Sequence, residues 1–146
     1  MENITIRYLD HPKLEDPTFI EGLPGIGNVG KLAAEHLKDE LKAVKFAEIF
    51  SKYFPPQVLV QDDGQVKLVN NEMHFVKRGH GKDLVLLTGD YQGLTPEGQY
   101  ELSDFILREL KKLGVRRIFT LGGYGMGRCT SRRRSRRPRW SRTASP

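Results

Sequence analysis

Phe19-Ile20-Glu21-Gly22-Leu23-Pro24-Gly25-Ile26-Gly27-Asn28-Val29-Gly30-Lys31-Leu32-Ala33-Ala34 is the stretch on which the fold turns. Phe19 to Leu23 reads as a short strand closed by glycine and proline. From Val29 onward the apolar positions Leu32, Ala33, Leu37 and Leu41 recur at three- and four-residue spacing, which predicts a helix of about three turns with one buried stripe. Lys31, Glu35, Lys38 and Asp39 are then left for solvent. Strand, glycine turn and helix in that order form the opening unit of an α/β fold.

The flanking sequence extends this reading. Ile4, Ile6 and Tyr8 alternate with polar residues, as in a strand with one buried face, and 43–50 reads as another strand. Gln57-Val58-Leu59-Val60-Gln61 and Gln65-Val66-Lys67-Leu68-Val69 flank Asp62-Asp63-Gly64, a hairpin signature. Met73 to Val76 adds a short strand before the Gly79-His80-Gly81 turn. Asp83-Leu84-Val85-Leu86-Leu87-Thr88 has the continuous apolar character of a central strand buried on both faces. Thr95-Pro96-Glu97 starts a second helix, with threonine as cap and proline at the first helical position. Leu102, Phe105, Ile106, Leu110 and Leu113 form its stripe, and Gly114 ends it. A strand over 115–121 follows, which makes the pair around this helix parallel.

The glycine turn admits two chemistries. Gly25-Ile26-Gly27-Asn28-Val29-Gly30 matches G-x-G-x-x-G between a strand and a helix, the setting of a dinucleotide site, and Glu48 lies near the distance of a ribose-binding acid. On that alternative the chain is a nucleotide- or phosphate-binding enzyme, with Gly25, Gly27, Asn28 and Gly30 holding the anion and Asp90 as a polar contact. Pro24 stiffens the turn, and Leu32 stands where a P-loop requires a hydroxyl for magnesium. The expectation is therefore a turn built for close packing, with no cofactor.

Other catalytic arrangements are missing from the sequence. His11, His36, His74 and His80 lack metal-ligand spacing, and His36, beside the helix stripe, is expected to be packed or half-buried. There is no G-x-S-x-G elbow, and the single cysteine, Cys129, offers neither a disulfide nor a zinc site. No catalytic residue and no metal site is assigned. Asp90, Tyr91 and Gln92 could line a pocket at the end of the central strand.

Charge separates the chain into two parts. The formal charge is +6, but eight arginines lie within 128–146; of 24 basic residues, 16 remain before them against 18 acidic ones. The body thus carries −2, without the basic face that nucleic-acid binding requires. The division is 1–127 as one α/β domain and 128–146 as a disordered Arg/Ser-rich tail, whose abrupt composition reads as a reading-frame shift. A genuine tail would instead bind nucleic acid through phosphate charge. No apolar run reaches the roughly 18 residues of a membrane span, and the amino terminus resembles no secretory signal, so the expected location is the cytoplasm.

Three stretches together resemble a known family: 19–34 quoted above, Leu86-Leu87-Thr88-Gly89-Asp90-Tyr91-Gln92, and Leu113-Gly114-Val115 with Thr120-Leu121-Gly122-Gly123-Tyr124. Their order and spacing are similar to the archaeal proteasome assembly chaperones, related to the eukaryotic second assembly chaperone. The resemblance implies a three-layer α/β/α sandwich of the phosphorylase/hydrolase-like kind, incomplete here at its carboxyl end. It also implies homo-oligomers that bind proteasome α subunits without catalysis. Members continue past Gly-Gly-Tyr-Gly, and some end in a hydrophobic-Tyr-any residue tail that docks into the proteasome. This chain ends Thr143-Ala144-Ser145-Pro146 and departs from the family there.

Overall fold

The computed structural model describes residues 2–79 and 82–125. Its elements are β1 (Ile4–Tyr8), β2 (Thr18–Gly22), α1 (Val29–Glu40), β3 (Val44–Ser51), β4 (Val58–Val60), β5 (Val66–Leu68), β6 (Asn71–Val76), β7 (Leu84–Gly89), α2 (Pro96–Lys112) and β8 (Arg117–Thr120). The tail assigned to 128–146, and His80, lie outside the described residues.

Six strands form one mixed sheet in the order β1-β3-β6-β7-β2-β8, and β4-β5 form a separate hairpin. β7, β2 and β8 are parallel, while β1, β3, β6 and β7 pair antiparallel. The apolar run on β7 is internal, with Val85, Leu86 and Leu87 fully buried. β7 and β8 are parallel as expected around α2, but β2 lies between them. The helices take opposite faces. Gly22 meets α1, whereas Phe19, of opposite parity on β2, shares a core with Val85, Leu87, Met73 and the α2 residues Leu102, Ile106 and Leu110. Helix, sheet and helix make three layers.

α2 follows the sequence closely. Thr95 Oγ1 accepts from Gly98 N–H at 3.1 Å, Pro96 opens the helix, and Gly114 leaves it at φ +78°. α1 departs from it. Its buried residues are Gly30 and Ala34, while Leu32 is 61% exposed and Ala33 and His36 are exposed. The small residues let the helix axis sit close to β2, and this turns Leu32 and Ala33 of the predicted stripe outward, while Leu37 and Leu41 are half-buried. Lys31, Glu35 and Lys38, expected in solvent, are half-buried along its flank.

Candidate functional site

The glycine turn closes on itself. Gly25 is extended, Gly27 (φ +63°) and Asn28 (φ +52°) are left-handed, and α1 begins at once. Asn28 N–H donates to Gly25 O at 3.0 Å and Val29 N–H to Ile26 O, so two amides that an anion would need already have partners. A Cβ on Gly30 would lie 2.0 Å from Leu121 O, and one on Gly22 would lie 2.3 Å from both Ala34 Cβ and Gly30 O. Strand, helix and the 121–123 segment therefore meet backbone to backbone, a contact that only glycine permits. Leu121 N–H, donating to Glu21 O at 2.8 Å, fixes that segment against β2.

The crevice between the loops after β2 and β7 is where an open α/β sheet ordinarily binds ligands. Here it is bridged by side-chain amides. Gln92 Nε2 donates to Pro24 O, while Gln99 Nε2 donates to Gln92 Oε1 at 3.2 Å and to Gly93 O at 2.9 Å. Asp90 points elsewhere. Its Oδ2 accepts from Asn70 N–H at 3.3 Å and lies 3.5 Å from Lys67 Nζ. The structure thus gathers Gly25, Gly27, Asn28 and Gly30 into one turn and assigns Asp90 to a different cluster. Glu48 lies on β3, separated from β2 by β6 and β7, out of reach of the glycine turn.

That second cluster was invisible in the sequence. Arg7 pairs with Glu48, Lys45 with Glu48 (2.8 Å) and Glu72 (3.4 Å), and Lys67 with Glu72 (3.0 Å) and Asp90. His74 Nε2 lies 3.6 Å from Glu72. An irregularity between Lys45 and Ala47 in the β3–β6 register brings Lys45 and Glu48 to one face, although an odd spacing on a regular strand would oppose them. Burial would raise the Glu48 carboxyl, but the hydrogen bonds from Lys45 and Arg7 outweigh it and hold it below its ordinary range. Glu72 is likewise lowered: burial would raise it, but Lys67, Lys45 and His74 together outweigh that. Burial lowers His74 despite the attraction of Glu72. Through Lys67 this ladder ties the β4-β5 hairpin to the sheet. The hairpin turns its other face outward, with Val58, Val60, Val66 and Leu68 exposed by 50–74%.

A further buried polar group lies under α2. Tyr8 OH donates to Glu109 Oε2 at 2.5 Å, and Lys112 Nζ donates to Oε1 at 2.6 Å. Burial and this bond raise the Tyr8 phenol. Both carboxylate oxygens are thereby engaged, as for a structural ion pair. Among the described residues, no three or more His, Cys, Asp or Glu are placed to hold a metal ion, and no helix is long and apolar enough to cross a membrane.

Comparison with known proteins follows the same outline. The sequence signature of the PAC2 family matches residues 19–145. The chain is 44% identical over 125 residues to the uncharacterized protein MJ1210 of Methanocaldococcus jannaschii, covering 86% of this chain and 48% of that one. Its structure superposes on Pyrococcus furiosus PbaB, an archaeal proteasome activator, with a TM-score of 0.81 at 45% identity, over 85% of this chain and 52% of PbaB. Pyrococcus furiosus PbaA, an archaeal homolog of proteasome-assembly chaperone, gives a TM-score of 0.63 at 26% identity, over 88% of this chain and 52% of PbaA. The chain spans about half the length of these relatives.

Proposed function

The chain belongs to the PAC2 family, and from that premise we propose that it is a non-enzymatic, proteasome-associated chaperone that binds proteasome α subunits as a homo-oligomer in the cytoplasm. The observation carrying this reading is the match to PbaB, at 45% identity and a TM-score of 0.81 over 85% of this chain. PbaA, a homolog of proteasome-assembly chaperone, supports the same class of partner. Glycine is used in the turn after β2 for contact between backbones, and Gln92 spans the ligand crevice, so a protein-binding scaffold suits these residues better than a nucleotide site.

Size-exclusion chromatography of the full chain with recombinant proteasome α subunits tests the proposal. Co-elution supports it. Separate elution at micromolar concentrations refutes it. ATP and NAD are expected to leave the melting temperature unchanged, since the amides of Asn28 and Val29 are engaged within the turn. A rise of several degrees with either nucleotide, lost in Gly27→Val, would restore the enzyme alternative.

A further inference from the structure

A small polar cavity lies at the carboxyl end of β7, on the face of the sheet that carries α1. Thr88 sets that face, since it aligns with Gly22, the residue that meets α1, and stands opposite Glu72 in the β6–β7 register. α1 contributes Glu35 and Lys38 to the wall, and the hairpin contributes Lys67. Asn70 and Asp90, joined by the hydrogen bond from Asn70 N–H to Asp90 Oδ2, close it. The polar groups of this wall are only partly engaged. Asn70 is 2% exposed, and its Oδ1 has no hydrogen-bond partner. Thr88 is 4% exposed, and among the described residues its hydroxyl has none either. Asp90 uses Oδ2 for both Asn70 N–H and Lys67, which leaves Oδ1. Buried acceptors are costly to leave without a donor.

We propose that this cavity binds the primary ammonium group of a small amine, with Asn70 Oδ1, Thr88 Oγ1 and Asp90 Oδ1 accepting its N–H bonds. Charge favours a cation. Three carboxylates of the wall, Glu35, Glu72 and Asp90, face the ammonium groups of Lys38 and Lys67, a formal net charge of −1. The ion-pair ladder alternates Arg7, Glu48, Lys45, Glu72, Lys67 and Asp90, so it stops on a carboxylate, and the next member in that alternation is positive. A metal ion is disfavoured, because no three His, Cys, Asp or Glu among the described residues are placed to hold one. A primary ammonium brings three donors on one charge, which matches three open acceptors. Lys38 does not fill the role itself, since its ammonium pairs with exposed Asp39 at 3.5 Å. At about 180 Å³ the cavity falls below the roughly 300–1,000 Å³ of pockets for drug-sized ligands, so the occupant is a small solute. The inference is independent of the proteasome reading, which can fail with this site intact.

The test titrates the full 146-residue chain with methylammonium chloride and follows its amides by proton–nitrogen correlation spectra. The amides of Asn70, Gly89 and Asp90 should shift saturably in the millimolar range. Tetramethylammonium chloride at equal ionic strength carries the same charge without an N–H donor and should leave them in place. Asp90→Asn removes a charged acceptor and should weaken methylammonium binding about tenfold or more, with Thr88→Val weakening it about threefold. Asp104→Asn, exposed on α2, should leave the affinity unchanged. The comparison of the two salts on the unsubstituted chain reads the site even if a variant folds poorly. Three results would overturn the proposal: no saturable shift with methylammonium, equal shifts with tetramethylammonium, or an affinity undiminished by Asp90→Asn.

Discussion

At Gly30 the space for a methyl group is already filled by the carbonyl of Leu121, 2.0 Å from where Cβ would stand. The opposing atoms are backbone, so the clash is relieved only by moving α1 and the 121–123 segment apart. Gly30→Ala should cost about 1–3 kcal/mol or more, read by urea denaturation. Gly25→Ala, in extended backbone with only Gln92 Nε2 at 3.9 Å, should stay within about 0.5 kcal/mol. Titration gives a second residue-level expectation. His74 has a depressed pKa in the fold, so the unfolded chain binds its proton more readily. Its contribution is complete above 6.5 and is lost as pH falls below that value. Asp83 is also depressed, because amides of Arg78 and Glu15 and the Lys77 ammonium outweigh its burial. Its stabilisation is present above 3.8 and is lost in more acidic solution, joined below 4.5 by Glu48, Glu72 and Glu109. Burial raises Glu21, which acts in the opposite sense and offsets part of the loss. Stability against pH should therefore fall in two steps, and His74→Gln should remove the upper one.

Among the elements, α2 and the hairpin make separable predictions. Thr95→Ala removes the oxygen that accepts from Gly98 N–H and should cost about 1 kcal/mol by denaturant titration, with Thr95→Ser near neutral. Lys67→Met cuts the hairpin from Glu72 and Asp90, pairs that are partly exposed and worth about 1 kcal/mol or less. Global melting should barely move, while the amides of Gln61 and Gly64 should exchange faster with deuterium. Elements whose signals are local were legible in the sequence: the cap and stripe of α2, the Asp-Gly turn of the hairpin and the apolar run of β7. The face that α1 buries was not. Periodicity weighs Leu32 above Gly30, whereas contact with Gly22 rewards the smaller residue. The glycine turn is legible as a bend between a strand and a helix. The charge ladder escaped notice because Lys45 and Glu48 share a face only through an irregularity in pairing, which no spacing rule reveals.

For the whole molecule, formal charge is unevenly distributed along the chain. The body has a formal charge of −2 and the eight arginines of 128–146 supply the excess. Removing 128–146 should abolish any low-salt retention on RNA; filter binding across a salt series checks this. The sheet order has one more consequence, for synthesis. β2, made within the first 22 residues, lies between strands that end at residues 89 and 120. Until β7 has been made Phe19 and Ile20 are without either neighbour, and such distant pairings close slowly. Such a nascent chain exposes these two apolar residues until β7 and β8 have been made.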